Sequence, residues 1–197
     1  MPLLELDQLA VSRGDRTLAS GICWQLEAGE LMHLRGANGA GKSSLLEVLA
    51  GLRRPAAGVL RRNPDPLPLH WVGHRNALNP HLSAVENLRF WCEFNGQAVQ
   101  RVAPALDRLA LPAGARRRAV RTLSAGQKRR TALARLVLAP RPLWLLDEPL
   151  DGLDVDGIAT FAGLLSEHLK GGGIAVVTSH QALPKDLPAV REWTLQR

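Results

Sequence analysis

The sequence predicts an α/β fold with a mostly parallel core sheet, a small N-terminal antiparallel β part and a helical insertion. Two short apolar segments, Leu143–Asp147 and Ile174–Thr178, predict strands buried on both faces, as is typical of parallel sheets. A glycine-rich loop lies between a predicted buried strand, Leu31–Arg35, and a predicted helix at residues 42–50. The helical patterns at about residues 75–140 interrupt this core. We therefore expect residues 1–197 to form a single domain with an inserted helical subdomain.

The small antiparallel β part is predicted from the N-terminal residues. Residues 3–9 alternate apolar and polar side chains, which predicts an early strand, and residues 22–26 predict a second one. Residues 52–68 are rich in proline and arginine and leave room for little more than a hairpin. Residues 69–73 then predict a short strand, and Ile174–Thr178 is predicted to be the last buried strand.

Four further helices are predicted after the first. They cover residues 83–94, 97–109, 124–139 and 157–170. Ser83 and Glu86 form a capping box that starts the first of them. Pro104 is expected to bend or divide the second, because proline cannot donate a helical hydrogen bond.

Composition sets limits on function. With 46% hydrophobic and 22% charged residues, the 197-residue chain has the composition of a soluble globular domain. The formal net charge of +7 is compatible with nucleic acid or an anionic membrane surface as a partner. The absence of tyrosine and of basic–aromatic interleaving argues against nucleic acid. No apolar stretch approaches the roughly 18 residues that a membrane span needs.

The glycine-rich loop matches the phosphate-binding pattern G-x-x-x-x-G-K-[ST] without a mismatch. Lys42 is one of only four lysines among 25 basic residues, which suggests a position where the compact ammonium is required. We expect Lys42 to be catalytic by bridging the β and γ phosphates of ATP, and Ser43 to bind Mg²⁺. The predicted ATP-binding residues are Gly36, Ala37, Asn38, Gly39, Ala40, Gly41, Lys42, Ser43 and Ser44.

Two acids follow the apolar strand at Leu143–Asp147. Ending a buried strand in two carboxylates is costly unless they meet a cation. We expect Asp147 to hold Mg²⁺ and Glu148 to act as the general base that polarises the attacking water.

A third motif consists of Ser124, Ala125, Gly126 and Gln127. A serine N-cap followed by two small residues builds a helix start that can bind an anion, although alone it is also an ordinary capped helix. Placed about twenty residues before the acidic strand, it resembles the signature motif of ATP-binding cassette ATPases, usually Leu-Ser-Gly-Gly-Gln. The resemblance implies a head-to-tail homodimer in which these residues contact the ATP held by the other copy.

Further positions match the family. Asp151 and Asp154 fall where its dimer-contacting D-loop lies, and His180 matches its switch histidine, a catalytic residue that contacts the γ-phosphate. His74 aligns with the Q-loop glutamine and is thus a possible Mg²⁺ ligand. Arg13 stands where the family usually has an aromatic residue that stacks on adenine, so adenine stacking is expected either to be weak or to fall to a guanidinium.

Four segments narrow the resemblance to the ATP-binding subunits of bacterial cytochrome c maturation (haem export) transporters. They are Trp71-Val72-Gly73-His74, Val85 to Phe90, Ser124 to Arg130, and Asp154-Val155-Asp156-Gly157. The resemblance implies an ATPase that couples hydrolysis to haem export or release of a periplasmic haem chaperone. It also implies integral membrane partners and a peripheral location on the cytoplasmic face of the inner membrane.

Alternative functions remain open at this point. The chain could be a soluble cassette ATPase acting on ribosomes or DNA, the ATPase subunit of a transporter for another substrate, or a small-molecule kinase. A single glycine loop without heptad repeats disfavours the ribosomal and DNA-repair types. A kinase has no use for the motif that begins at Ser124.

Overall fold

The computed structural model describes residues 1–195, which form two sheets and the helices packed against them. The strands are β1 (Leu4–Arg13), β2 (Arg16–Leu26), β3 (Leu31–Arg35), β4 (Ala57–Arg62), β5 (Leu69–Val72), β6 (Leu143–Asp147), β7 (Ile174–Thr178) and β8 (Val190–Thr194). The helices are α1 (Lys42–Leu49), α2 (Ala84–Phe94), α3 (Val102–Arg108), α4 (Ala113–Arg116), α5 (Ala125–Leu133), α6 (Arg135–Leu138) and α7 (Val155–Lys170).

The central sheet has the strand order β5-β6-β7-β3-β8, and all of its strand pairs are parallel. The register pairs Thr178 with both Asp147 and Leu34, and Val72 with Leu146. Since the carboxyl ends of parallel strands meet at one edge, the segments that follow β3, β5, β6 and β7 are neighbours there. The predicted mostly parallel core sheet is confirmed.

Both faces of this sheet are buried. On β6, Trp144 and Leu146 pack into the core shared with the helical segment and α7, whereas Leu143 and Leu145 pack into the core shared with α1 and the smaller sheet. The alternation follows from the two-residue side-chain period of a strand. It explains why β6 and β7 are apolar at nearly every position.

The smaller sheet is antiparallel, with the order β2-β1-β4. It confirms the predicted N-terminal antiparallel part, although β1 and β2 are longer than expected. Residues 52–68, predicted to hold little more than a hairpin, contain the single strand β4, which pairs with β1, with Leu6 opposite Leu60. Most β4 side chains are exposed, so the strand carries no apolar pattern.

Helices α2 to α6 all lie between β5 and β6. The capping box predicted for α2 is present, since the Glu86 amide donates to Ser83 Oγ (3.2 Å) and the Ser83 amide donates to Glu86 Oε2 (2.8 Å). Helix α3 begins at Val102 rather than near residue 97. Pro104 thus lies in its first turn, where its missing N–H removes no helical hydrogen bond and causes no bend.

Two other helix boundaries and one strand differ from the prediction. The helix expected at residues 124–139 is divided at Ala134, after which the Arg135 guanidinium donates to the carbonyls of Asn76 and Ala77. Helix α7 begins two residues early because Asp154 Oδ1 caps it by accepting from the Gly157 amide at 2.9 Å. Strand β8 was not predicted, since most of its side chains are exposed.

In the part of the chain that the structure describes, no helix is long and apolar enough to cross a membrane.

Buried His70 predicts a specific acid sensitivity of the fold. Its Nε2 donates to the Ala139 carbonyl at 2.8 Å, and its ring stacks on Trp91. Burial lowers the pKa of His70 to about 4, with the hydrogen bond acting in the opposite sense. Between pH 6.5 and about 4 the unfolded chain therefore binds a proton that the folded chain does not. Above pH 6.5, protonation of His70 should not reduce the free energy of unfolding. As the pH falls from 6.5 toward 4, His70 alone should lower this free energy by about 3 kcal/mol.

Urea unfolding of the wild type and His70→Gln at pH 7 and pH 5 measures this contribution. The variant can still donate to the Ala139 carbonyl but cannot be protonated, so its stability should fall less on acidification. The same loss of stability in both proteins would contradict the assignment to His70.

Candidate active site

The glycine-rich loop lies between β3 and α1, and the Lys42 side chain folds back over this loop. Gly39 and Gly41 have φ values of 78° and 104°, a region that favours glycine. A Cβ on Gly41 would also come within 3.0 Å of the Leu18 Cβ. The Lys42 ammonium donates to the carbonyls of Gly36 (2.7 Å) and Ala37 (3.3 Å), so it is held at the loop by acceptors that a phosphate can replace.

One pocket of about 420 Å³ brings most of the predicted site residues together at the carboxyl edge of the central sheet. This size suits a small-molecule ligand. The lining residues are Arg13, Leu18, Asn38, Gly39, Gly41, Lys42, Ser43, Ser44, His74, Asp147, Glu148, Asp151 and His180. Among the predicted ATP-binding residues, Gly36, Ala37 and Ala40 do not line it. The first two contribute the carbonyls that hold Lys42.

Asp147 and Ser43 form the candidate metal site. Ser43 Oγ donates to Asp147 Oδ2 at 2.8 Å, and Thr178 Oγ1 donates to Asp147 Oδ1 at 2.7 Å. Asp147 and Thr178 are buried, so the carboxylate is fixed in orientation. Hydroxyl and carboxylate oxygens are ligands that Mg²⁺ prefers, and Mg²⁺ usually takes few protein ligands together with substrate phosphates and water. Residues 1–195 contain no group of three or more His, Cys, Asp or Glu side chains that could hold a metal ion.

Glu148 is held by the segment that follows β7. The His180 amide donates to Glu148 Oε2 at 2.9 Å, and His180 Nε2 lies 3.4 Å from Oε1. The Glu148 amide is bound by Thr178 Oγ1 at 2.9 Å. Glu148 has a φ of 51°, which is uncommon for a residue with a side chain, so surrounding contacts must hold it there. The site thus presents a nearly buried carboxylate next to a half-exposed imidazole.

His74 and Asp151 also line the pocket. His74 is largely exposed, and its Nδ1 is 4.0 Å from Asp151 Oδ2. Its place in the pocket is compatible with the predicted role at the Q-loop position, which stays a prediction. Arg13 also lines the pocket, as the suggested replacement for the family's aromatic residue requires.

The signature residues Ser124 to Gln127 do not line the Lys42 pocket. They line a second surface cavity with Gly152 and Asp154. Ser124 caps α5 by accepting from the Gln127 amide at 3.2 Å, and Gln127 Oε1 accepts from the Ser124 amide at 3.1 Å. A Cβ on Gly126 would meet the Gly152 carbonyl oxygen at 2.7 Å, so this position admits only glycine without rearrangement. Within one copy, the two halves of the predicted ATP site are therefore separate.

The two D-loop residues also separate. Asp151 reaches the Lys42 pocket, whereas Asp154 lies beside the signature residues and accepts from Arg130 Nη2. The Arg130 hydrogen bond and the Gly157 amide hold the pKa of Asp154 below its usual value.

Two residues that contact this site were not singled out by sequence reasoning. Thr178 orients Asp147 and the Glu148 amide, as described above. Arg129 of α5 donates to the carbonyls of both Asp147 and Glu148, each at 2.8 Å. Both side chains form hydrogen bonds with backbone groups, and Thr178 also bonds the neighbouring Asp147 carboxylate.

The chain is similar to one family of known proteins and to curated relatives within it. The profile of the family described as ABC transporter matches residues 19–151. The cytochrome c biogenesis ATP-binding export protein CcmA of Paracoccus denitrificans (strain Pd 1222) is 46% identical over 91% of this chain and 83% of that protein. The protein of the same name from Hyphomonas neptunium (strain ATCC 15444) is 45% identical over 98% of this chain and 97% of that protein.

A solved structure gives the corresponding likeness in fold. It is the dimeric structure of a post-hydrolysis state of the ATP-binding cassette MJ0796 bound to ADP and Pi, with a TM-score of 0.79. The match covers 90% of this chain and 88% of that chain at 22% sequence identity.

Proposed function

The chain belongs to the ABC transporter family, and from this premise we propose that it is the ATP-hydrolysing subunit of a transporter that serves cytochrome c biogenesis. The observation that carries the proposal is the single pocket that joins Lys42, Asp147, Glu148 and His180. The two relatives are export proteins of cytochrome c biogenesis by name, and each is similar along most of its length. Residues 1–197 act as one domain, in which the helical subdomain at about 75–140 passes the motion of the dimer to the membrane partners.

ATP binds with its phosphates on the glycine-rich loop. The amides of residues 38–44 and the N-terminus of α1 attract the negative charge. Lys42 exchanges its contacts with the Gly36 and Ala37 carbonyls for the β and γ phosphates. Ser43 and Asp147 hold Mg²⁺, which neutralises phosphate charge when bound.

Hydrolysis takes place between Glu148 and the γ-phosphate. The Glu148 carboxylate accepts a proton from a water molecule as the oxygen of that water forms a bond to the γ phosphorus. The bond from that phosphorus to the β–γ bridging oxygen breaks, and ADP and phosphate leave. The backbone amide of His180 positions the Glu148 carboxylate by donating a hydrogen bond to it. The His180 imidazole lies beside the same carboxylate, where it contacts the γ-phosphate.

Two copies are needed to complete each site. The separation of the Ser124 cavity from the Lys42 pocket supports a head-to-tail homodimer, in which the N-terminus of α5 in one copy contacts the ATP held by the other. The exposed Ser124 and Ala125 leave room for that contact. ATP then closes the dimer, and hydrolysis reopens it.

The membrane partners dock on an apolar groove of the helical insertion, on the cytoplasmic face of the bacterial inner membrane. Phe90 and Phe94 of α2 are 66% and 82% exposed, and their rings stack 6.5 Å apart. With Trp91 they line a groove of about 380 Å³. Two adjacent exposed phenylalanines on one groove suit an apolar protein partner. Through these integral subunits, the motion of the dimer drives haem export or the release of a periplasmic haem chaperone.

Replacing Phe94 with serine is expected to remove the membrane subunits from the purified complex. Because Phe94 is exposed, the substitution should change the free energy of unfolding by no more than about 0.5 kcal/mol and leave ATP binding unchanged. Leu52→Ser, at a position 67% exposed and outside this groove, is the matched control. Recovery of the same membrane subunits with Phe94→Ser as with Leu52→Ser would place docking elsewhere.

The proposed function is tested by deleting the gene and measuring haem-stained c-type cytochromes. We expect their loss in the deletion strain, recovery with the wild-type chain and no recovery with Glu148→Gln. Normal c-type cytochromes without the chain would assign it to another substrate. Recovery of the chain with ribosomes instead of membranes would favour the soluble alternative.

A further inference from the structure

Arg129 is a buried charge within the helical insertion. It belongs to α5, five residues after Ser124, and is only 2% exposed. Burial lowers the pKa of Arg129, while the carboxylates of Asp151, Asp147 and Glu148 act in the opposite sense. Within residues 1–195, no carboxylate oxygen is within 4.0 Å of its nitrogens. The guanidinium is therefore stabilised at close range by something other than an ion pair.

Its neighbours are backbone carbonyls of the catalytic segments. A guanidinium has five N–H groups, and Arg129 has one acceptor for each of them. They are the carbonyls of Pro149 (3.1 Å), Gly73 (3.0 Å), Asp147 (2.8 Å) and Glu148 (2.8 Å), and Asn76 Oδ1 (3.1 Å). One side chain thus joins α5 to the end of β6 and to the segment that carries His74.

This arrangement constrains Glu148 in particular. Carbonyl contacts at Asp147, Glu148 and Pro149 fix three consecutive peptide groups, which include both peptide planes that flank the Glu148 Cα. Glu148 has the disfavoured φ of 51°, and a conformation of this kind persists only where surrounding contacts impose it. A lysine could not replace the planar fork, since it has three donors on one nitrogen.

We propose that Arg129 is the positioning residue that fixes the backbone of Glu148 and makes it move with the signature helix. The proposal rests on the function proposed above, in which Glu148 is the general base. Arg129 follows Ser124 by about 7.5 Å along the helix axis, at 1.5 Å per residue. When the ATP of the other copy engages Ser124, the displacement of α5 is therefore passed to Glu148 of the same chain, which couples the two ATP sites.

The test is a double-mutant cycle of Arg129→Lys with Glu148→Gln in the full-length chain, assayed with the membrane subunits that co-purify. Arg129→Lys is expected to lower kcat at least about tenfold, because misplacing a catalytic group by an ångström is costly, with the KM for ATP changed less than about threefold. In the Glu148→Gln background the same substitution should change the residual single-turnover rate less than about twofold, since the group it positions can no longer act. Arg116→Lys, in a partly buried arginine of the same insertion that contacts Leu111 and Asp107, is the control and should leave kcat unchanged.

Two outcomes would overturn the proposal. Equal fold losses in the wild-type and Glu148→Gln backgrounds would show that Arg129 acts on the site as a whole rather than through Glu148. An unchanged kcat in Arg129→Lys would show that the carbonyl contacts are not needed. If the wild type itself does not hydrolyse ATP, or Glu148→Gln does so normally, the proposed function fails instead.

A second variant covers the case in which Arg129→Lys does not fold. Asn76→Ala removes one of the five acceptors from a partly exposed position and leaves the other four in place. We expect kcat to fall severalfold in the wild type and to stay unchanged in Glu148→Gln. An Asn76→Ala protein with wild-type kcat, or with equal losses in both backgrounds, would contradict the proposal in the same way.

Discussion

Glu148→Gln is expected to lower kcat for ATP hydrolysis by at least about a hundredfold, the usual contribution of a positioned general base. Glutamine has the same shape as glutamate and can still accept the hydrogen bond from the His180 amide, so the fold and the pocket should be preserved. It cannot take a proton from water, and the chemical step is lost. ATP binding depends on the glycine-rich loop and should stay within about threefold of the wild type, because the γ-phosphate contacts do not need the proton acceptor.

The variant should therefore accumulate in the state that precedes hydrolysis. Light scattering in the presence of ATP is expected to give the mass of a dimer for Glu148→Gln and a smaller average mass for the wild type, which turns over. Glu27→Gln, at an exposed position outside the pocket, is the control. Normal turnover in Glu148→Gln would remove Glu148 from the role of base.

Ser124→Arg is expected to abolish hydrolysis while a single chain still binds ATP. Ser124 is exposed at the start of α5, and an arginine there would fill the surface that we propose meets the other copy's phosphates. Loss of the N-cap costs only about 1 kcal/mol, so the fold should be retained. The glycine-rich loop of the same chain is untouched, because Ser124 does not line the Lys42 pocket.

Fluorescent nucleotide binding and hydrolysis measured on the same preparation separate the two effects. Ser124→Asn keeps an N-cap of small size and should retain most of the activity. If Ser124→Arg hydrolyses ATP normally, the signature residues are not part of an ATP site.

The sheet and its site were predictable where burial and function imposed a strict pattern. Leu143–Asp147 is apolar up to its terminal acid because both faces of β6 are covered, and Gly39 and Gly41 are needed for their backbone angles. Such positions accept few residue types. They can consequently be identified from the sequence alone.

The missed elements have weaker constraints. Strands β4 and β8 lie at the edges of their sheets and expose most of their side chains, so no apolar alternation marks them. The predicted 124–139 helix is divided at Ala134 although residues 127–139 contain no proline or glycine that would indicate a break. Tertiary contacts set these boundaries.

Arg129 and Thr178 were missed for a different reason. Both act through backbone groups or a single neighbouring acid, and a carbonyl acceptor leaves no trace in the sequence. In the sequence, Arg129 is one basic residue in a short basic run. Only the fold reveals that it is buried behind Glu148.

The central claim is that the glycine-rich loop of one copy and the signature helix of another form one ATP site. Mixing Lys42→Ala with Ser124→Arg tests it most directly, because each variant alone should be inactive and the mixed dimer contains one intact site. After subunit exchange we expect single-turnover hydrolysis above the sum of the two separate variants and up to about a quarter of the wild-type level, since half of randomly mixed dimers are mixed and each has one intact site of two. Hydrolysis no greater than the sum of the two separate variants would contradict the shared site.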